Sequence, residues 1–112
     1  MSLSKKKILL IDDEPDITEL IQFHLEQNEY TVKTASDGLK GIEIARAFMP
    51  DLILLDVMMP EMDGIEVCQV LKEAPKTQNI LICILSARSE DYSQIAGLDA
   101  GADDYVTKPI KP

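Results

Sequence analysis

Residues 52–56 read LILLD, a run of four aliphatic side chains that ends in an aspartate. A strand with one face in water would alternate apolar and polar residues, whereas a parallel strand covered on both faces is apolar throughout. This stretch therefore predicts a buried parallel strand with the carboxylate of Asp56 at its end. Four further short runs predict the other strands: Lys7–Ile11, Thr31–Ala35, Ile80–Leu85 and Asp104–Val106.

Segments with helical periodicity separate these strands. The first segment has its apolar face at positions i, i+3, i+4, i+7 and i+8, with Asp13 as the expected N-cap and Pro15 in the first turn. Its stripe consists of Ile17, Leu20, Ile21, His24 and Leu25. Similar stripes predict helices over Leu39–Met49, stopped by Pro50, over Ile65–Leu71, and, more weakly, over Tyr92–Ala100, ended by Gly101.

Strands and helices thus alternate along the chain, which predicts an α/β domain. We expect a doubly wound five-stranded parallel sheet with right-handed crossovers, in the flavodoxin-like order 2-1-3-4-5. A helix is expected after the fifth strand, and the printed sequence stops at Pro112 before one could form. We therefore expect residues 5–112 to form a domain truncated before its last helix, with an apolar sheet face that favours a homodimer. Residues 1–4 are expected to be a tag or disordered.

Composition excludes several functional classes. The 112 residues carry a formal net charge of -9, and such a surface repels phosphate backbones, so we expect no direct nucleic-acid binding by this segment. The longest apolar run, Ile8–Ile11, is too short for a signal peptide or a membrane span. Cys68 and Cys83 lack metal-ligand spacing and are predicted to be small buried hydrophobes, which suits a reducing, cytoplasmic compartment.

Carboxylates follow the first and third predicted strands directly. Asp12 and Asp13 come after the first strand, and Asp56 ends the third. These strands are neighbours in the 2-1-3-4-5 order, so the three side chains are expected to meet at the edge where such sheets bind ligands. Carboxylates this close repel one another unless a cation compensates, and oxygen ligands suit Mg²⁺. The alternative for Asp12 and Asp13 is that one caps the first helix while the other is solvated.

Two more polar groups are expected at the same edge. Ser86 follows the fourth predicted strand, and Lys108 follows the fifth. Taken singly, Ser86 could be a turn or cap residue and Lys108 an ordinary surface lysine before a turn proline. Taken together, a hydroxyl, an ammonium and a metal ion would stabilise the oxygens of a phosphoryl group transferred in line to Asp56 as nucleophile.

Four segments resemble the signature segments of response-regulator receiver domains, in order and at the spacing of that family. They are KILLIDDE at Lys7–Glu14, LILLDVMMPEMDG at Leu52–Gly64, Ser86-Ala87, and YVTKP at Tyr105–Pro109. The resemblance runs from about Lys5 to Pro112, and the segment around Asp56 is the most diagnostic part.

The resemblance implies a role for each matching residue. Asp56 would be the phosphoacceptor, and Asp13 and Asp56 would ligate Mg²⁺ directly. Asp12 would act partly through water, and the backbone carbonyl of Met58 would complete the protein ligands.

Further roles implied by the resemblance concern the switch. Ser86 would be the switch hydroxyl, and Lys108 would form an ion pair with the acceptor carboxylate and precede a cis bond to Pro109. Tyr105 would be the aromatic switch residue, although a strand tyrosine that only packs is the alternative. Phosphorylation would then change the face formed by strand 4, helix 4 and strand 5.

The resemblance also implies the partners. The phosphoryl group would come from a histidine kinase or a histidine phosphotransfer protein, and the output would reach an attached effector domain or a downstream protein. His24 lies on the apolar stripe of the first helix, so we expect it to be structural and the donor histidine to be on the partner. The domain would catalyse its own phosphorylation and dephosphorylation without being an enzyme that turns over a separate substrate.

Three other classes remain as alternatives. Haloacid-dehalogenase-type phosphatases also use a strand-end aspartate and Mg²⁺, and Asp12 with Glu14 imitates their acid pair, but the chain lacks a cap domain. A flavodoxin-like cofactor binder would need phosphate-binding hydroxyls and amides after the first strand, where this chain has IDDEP. A purely structural interaction module should have lost one of the key groups.

Overall fold

The computed structural model of the chain describes residues 6–87 and 96–108, with the side chains of residues 87 and 108 outside that description. The strands are β1 (Lys7–Ile11), β2 (Thr31–Ala35), β3 (Leu52–Asp56), β4 (Leu81–Ala87) and β5 (Asp104–Lys108). The helices are α1 (Pro15–Gln27), α2 (Gly38–Phe48) and α3 (Gly64–Glu73), and residues 96–99 are also helical.

The five strands form one parallel sheet in the order β2-β1-β3-β4-β5. The predicted α/β fold class, its doubly wound parallel sheet and its strand order are therefore confirmed. In the register, Ile11 is opposite Leu55, and Asp56 is opposite Leu85. The carboxyl ends of β1 and β3 consequently lie side by side at one edge.

One face of the sheet packs against α2 and α3 and holds the main core. Alternate residues of the central strands, such as Leu9, Ile53 and Ile84, are fully buried there. They pack in one cluster with residues of α2 and α3, including Ile42, Ala45, Val67, Cys68 and Leu71. Burying a Leu or Ile side chain contributes roughly 1.5–3 kcal/mol, so this face supplies much of the stability of the domain.

Helix α1 lies on the opposite face, and none of its residues is buried. Its predicted apolar stripe is only partly covered, because Leu20 is 53% exposed. Phe23, which lies next to the stripe, is 57% exposed. His24 is half-buried and meets the Phe23 ring edge-on at 5.7 Å between ring centroids. The rest of the stripe is half-buried: Ile17, Ile21 and Leu25.

The predicted N-cap of α1 is wrong. Pro15 occupies the first helical position, which makes Glu14 rather than Asp13 the N-cap, and the Glu14 side chain makes no capping hydrogen bond. The other helices start as their sequences suggest: Asp37 Oδ1 accepts from the backbone N–H of Lys40 at 2.8 Å to cap α2. The correction leaves the carboxylate of Asp13 available to the neighbouring strand end.

Strands β4 and β5 both extend beyond their predicted ends. The prediction ended β4 at Leu85 and β5 at Val106, whereas the strands continue through Ala87 and Lys108. The cause is pairing, since Ser86 is opposite Thr107 in the parallel ladder. Ser86 is therefore part of a strand and not a turn residue. Of the fourth predicted helix, Tyr92 to residue 95 lies outside the described residues.

Across the described ranges, no helix combines the length and the apolar content that crossing a membrane requires.

Candidate functional site

Four acidic residues converge at the carboxyl edge of β1 and β3. Each of Asp12, Asp13, Glu14 and Asp56 offers one carboxylate oxygen, and these four oxygens lie within 4.8 Å of one another. Asp12 and Asp56 are almost completely buried, with 2% and 3% exposure, while Asp13 is half-buried and Glu14 is exposed. The cluster thus has a buried floor and an open side.

The backbone after β1 sets the direction of the first three carboxylates. The N–H of Asp12 donates to the carbonyl of Ala35 at 3.1 Å, which continues the pairing of β1 with β2. The Asp12 Oδ1 then accepts from the N–H of Glu14 at 3.0 Å, which closes a tight turn into α1. Because this turn is short, three consecutive acidic residues remain at the strand edge.

The loop after β3 wraps around Asp56. The N–H of Met58 points to Asp56 Oδ1 at a distance of 3.4 Å, and the N–H of Val57 donates to the carbonyl of Leu85. The N–H of Gly64 donates to the carbonyl of Val57 at 3.0 Å, and α3 starts there, close to the end of β3. These bonds fix the loop backbone beside Asp56, and the Met58 N–H faces its carboxylate.

The remaining predicted residues lie on the strands beside Asp56. Ser86 is fully buried in β4, one residue beyond Leu85, which pairs with Asp56. Tyr105 is opposite Ile84 in the register and is 40% exposed. Lys108 is opposite Ala87 in the backbone ladder, and its side chain lies outside the described part of the chain. Pro109, with its predicted cis bond, lies outside as well.

The structure brings together three of the residues predicted to be metal ligands, Asp12, Asp13 and Asp56, and adds Glu14. Glu14 was not predicted from the sequence to be a metal ligand. It entered the sequence analysis only in the KILLIDDE segment and in the acid pair of the phosphatase alternative. Its position two residues beyond Asp12, in a tight turn, was the available signal. Met58 is adjacent to the cluster, and its side chain is 60% exposed.

The donor set fits a hard divalent cation. Every offered atom is a carboxylate oxygen, and two of the four residues lie in a nearly dry environment, where close carboxylates are costly unless compensated. Mg²⁺ takes oxygen ligands and retains several waters, so it needs an open side such as the one at Asp13 and Glu14. A cavity of about 320 Å³ adjoins this side, between α1 and the end of β2.

A five-stranded 2-1-3-4-5 parallel sheet with acidic residues at the ends of β1 and β3 defines the receiver class of signalling domain. A match to the family described as the response regulator receiver domain covers residues 8–112. The chain belongs to this family.

Curated relatives are transcriptional regulators. The chain is 49% identical over 107 residues to the alkaline phosphatase synthesis transcriptional regulatory protein PhoP of Bacillus subtilis, covering 96% of this chain and 44% of PhoP. It is 46% identical to the DNA-binding dual master transcriptional regulator RpaA of Synechocystis, covering 93% of this chain and 43% of RpaA. The chain therefore spans less than half the length of these relatives.

Solved structures agree on the fold. The chemotaxis protein CheY4 of Vibrio cholerae superposes with a TM-score of 0.91 at 28% identity, covering 97% of this chain and 91% of that chain. The chain is therefore a receiver domain of the response-regulator type, a signalling module of two-component systems.

Proposed function

We propose that this receiver domain is a phosphoacceptor switch that takes a phosphoryl group on Asp56 from a histidine kinase or a histidine phosphotransfer protein, in a reaction that depends on Mg²⁺. The observation that carries the proposal is the convergence of four carboxylate oxygens within 4.8 Å, with Asp56 at the end of the central strand β3. Family membership supports the same chemistry.

In the proposed reaction, a carboxylate oxygen of Asp56 forms a bond to phosphorus while the bond between phosphorus and the donor imidazole nitrogen breaks. The burial of Asp56 keeps water from competing for the new acyl phosphate. The buried hydroxyl of Ser86 is the switch group, and Tyr105, two-fifths exposed on the neighbouring strand, is the aromatic that changes position. Lys108 is proposed as the ammonium that pairs with the phosphoryl group.

Mg²⁺ would be held by Asp12, Asp13 and Asp56 together with the Met58 carbonyl, and when bound it would neutralise charge on the transferring oxygens. Glu14 joins this set as a residue that can orient a metal-bound water from the open side. Asp12 and Asp56 are almost completely buried, so bulk water has little access to this side of the site.

The cytoplasm is the proposed location, because a histidine kinase presents its phosphoryl group there. The output is proposed to act through the face of β4, the helical residues 96–99 and β5 on an effector domain or a downstream protein. The proposal is that the domain catalyses its own phosphorylation and dephosphorylation, without turning over a separate substrate. Direct nucleic-acid binding by this segment is not part of the proposal, since the net charge is -9.

The decisive experiment is incubation of the chain with acetyl phosphate and Mg²⁺, followed by intact-mass measurement and peptide mapping. We expect one phosphoryl group per chain, stable in acid and labile in base, on Asp56. The Asp56→Asn variant should take no label, and chelation of Mg²⁺ should prevent labelling of the unaltered chain. Continuous turnover of an excess phosphate ester, or a label elsewhere, would contradict the proposal.

A further inference from the structure

A network of charged hydrogen bonds lies at the end of the sheet opposite the acidic cluster. The ammonium of Lys72, near the end of α3, donates to the carbonyls of Ile80 at 2.8 Å and Gln78 at 3.2 Å. It also donates to Asp103 Oδ2 at 3.0 Å. All three of its donors are therefore directed at protein acceptors, and its side chain is only 16% exposed.

Asp103 completes the network on the strand side. Its Oδ2 accepts from the N–H of Ile82 at 2.9 Å, and its own N–H donates to the carbonyl of Ile82 at 2.8 Å. These two bonds join Ile82 to Asp103, one position before Cys83 and Asp104, the first pair of the β4–β5 ladder. Burial raises the pKa of Asp103, but the Ile82 N–H and the Lys72 ammonium outweigh it and hold that pKa below its usual value.

The segment that leads into β5 also packs directly on α3. The thiol of Cys68 points to the carbonyl of Ala100 at 3.7 Å. Gly101 has a φ of 106°, and a Cβ there would come within 3.0 Å of Lys72 Cγ. The aliphatic stem of Lys72 thus lies against this glycine while its ammonium reaches Asp103. Residues 100–103 are therefore fixed to α3 by an ion pair, a thiol contact and close packing.

The other end of α3 touches the acidic site. A Cβ on Gly64, the first residue of the helix, would clash with the backbone carbonyl of Asp56. Helix α3 is ten residues long, and a helix transmits displacement along its axis because its backbone hydrogen bonds resist compression. One rigid element consequently contacts the backbone of Asp56 at its start and the beginning of β5 at its end.

We propose that Lys72 and Asp103 form a clamp that couples α3 to β5, so that a displacement of the loop after Asp56 reaches the output face through α3. The coupling part of this inference rests on the proposed function of Asp56. It gives Lys72 and Asp103 the role of positioning residues, because their side chains meet beside the amino ends of β4 and β5, away from Asp56. This route does not involve Ser86, which lies near the carboxyl end of β4, and it reaches β5 two residues before Tyr105.

Two variants test the clamp in the unphosphorylated chain. Lys72→Met removes the ammonium but keeps the stem against Gly101, and Asp103→Asn keeps an acceptor for the Ile82 N–H while it removes the charge. We expect hydrogen exchange of the Ile82 and residue-103 amides to accelerate by at least about tenfold in both variants, while exchange of core amides such as Leu9 is unchanged. The matched controls, Lys76→Met and Asp99→Asn, change exposed residues and should leave both amides as in the unaltered chain.

The same variants, labelled with acetyl phosphate and Mg²⁺, test the coupling. All should take the label on Asp56 to the same extent as the unaltered chain. In the unaltered chain, labelling should change exchange at residues 100–106, and in Lys72→Met and Asp103→Asn this response should fall to less than about half. The double variant should resemble the single variants, because both residues act in one unit.

The outcomes separate the two claims. If the clamp variants exchange like Lys76→Met before labelling, the clamp does not exist. If they differ before labelling but respond to the label like the unaltered chain, the coupling role is refuted. If the unaltered chain takes no label, the proposed function fails and the coupling role falls with it, while the comparison before labelling still decides on the clamp.

Discussion

Glu29 adopts a backbone conformation that its side chain disfavours. Its φ is 68°, in the left-handed region, and it follows Asn28 at the end of α1. The N–H of Glu29 donates to the carbonyl of Glu26, and the N–H of Tyr30 donates to that of Leu25, which is the Schellman arrangement that ends many helices. Glycine usually occupies this position, so the fold imposes strain on a glutamate here.

We therefore expect Glu29→Gly to stabilise the domain by about 1 kcal/mol, because it relieves the left-handed strain. Part of any gain could come from removing a negative charge near the negative end of the α1 dipole. Glu29→Gln isolates that charge effect and should give a smaller gain. Urea unfolding measures both, and equal stabilities for the two variants would show that the backbone conformation is not the cause.

The buried thiols allow a prediction about pH. Burial raises the pKa values of Cys68 and Cys83 from 9.0 to about 11, for Cys68 against the attraction of Lys72. Both cysteines are free in the structure. The pKa of each thiol is higher in the folded than in the unfolded chain, so folding favours the protonated thiols. Their contribution to the free energy of unfolding is therefore complete below pH 9 and is lost as the pH rises from 9 to 11.

At pH 8 the folded thiols should hold about a hundredfold less thiolate than the unfolded ones, since each pKa unit is tenfold. An aromatic disulfide reagent should therefore react slowly with the native chain and rapidly in urea. The free energy of unfolding should also decline between pH 9 and pH 11, and the decline should shrink in a Cys68→Ala Cys83→Ala variant. Rapid reaction of either thiol in the native chain would contradict the assigned burial.

At the scale of elements, a side chain from the following turn forms a hydrogen bond with the last turn of α3. The hydroxyl of Thr77 is fully buried and donates to the carbonyl of Leu71 at 2.6 Å. The turn is further fixed by the N–H of Thr77 on the carbonyl of Ala74 and by the N–H of Ile80 on the carbonyl of Thr77. These bonds satisfy carbonyls that a helix end otherwise leaves without partners.

Replacing Thr77 with Val keeps the shape and removes the hydroxyl, which leaves a buried carbonyl with one partner fewer. We expect a loss of about 1–2 kcal/mol in the free energy of unfolding. The matched control is Thr31→Val, at an exposed strand position, where the change should be within about 0.5 kcal/mol. Chemical denaturation of both variants is the measurement, and equal values would refute the role of the hydroxyl.

The placement of α3 against Asp56 depends on Gly64 having no side chain. A Cβ there would meet the backbone of Asp56 and Val57, neither of which can rotate away. At Gly41 in α2, a Cβ would instead meet the buried side chain of Ile11 and no backbone atom. The two glycines therefore differ in what an added methyl group displaces.

Gly64→Ala should destabilise the domain by at least about 2 kcal/mol and slow labelling of Asp56, because the loop after β3 must shift. Gly41→Ala should cost less and leave labelling unchanged, since only the Ile11 side chain, and not the backbone after β3, has to shift there. Thermal unfolding and acetyl phosphate labelling provide the two readouts. A Gly64→Ala variant with unaltered labelling would show that contact between α3 and the acceptor backbone is not needed.

At the scale of the whole molecule, the described residues, 6–87 and 96–108, cover the two sheet faces unequally. On the α1 side, a groove of about 470 Å³ is lined by strand residues including Ile8, Leu52, Leu54 and Leu81, with Leu25 and Tyr30 from α1 and the turn after it. Leu81 is 55% exposed and Tyr30 is 37% exposed. Exposed apolar surface of this kind favours association, and a second copy of the chain is the partner we propose.

We expect the 112-residue chain to form dimers at high concentration, as measured by light scattering. Leu81→Lys should shift the equilibrium to monomers, because it places a charge in the groove. Leu39→Lys, at an equally exposed position on α2, is the control and should leave the dimer intact. A monomer at all concentrations would overturn this prediction.

The sequence by itself determined the sheet and the central chemistry of this protein. Short apolar runs such as Leu52–Asp56 suit a parallel strand covered on both sides, and the alternation with helical segments then limits the topology. Because parallel strands end at a common edge, the aspartates after β1 and β3 were bound to meet. Strand identity followed from these local rules, the three aspartates of the acidic cluster followed once the flavodoxin-like strand order was assumed, and the sheet confirmed that order.

Tertiary structure alone decided the features that depend on partners distant in the chain. Pairing with β5 carried β4 through Ser86, and the tight turn fixed by Asp12 and Pro15 made Glu14 the N-cap and brought it into the cluster. The contact of Lys72 with Asp103 joins residues 31 positions apart. Periodicity and motif spacing describe neighbours along the chain, so they do not contain the distances between side chains on separate elements.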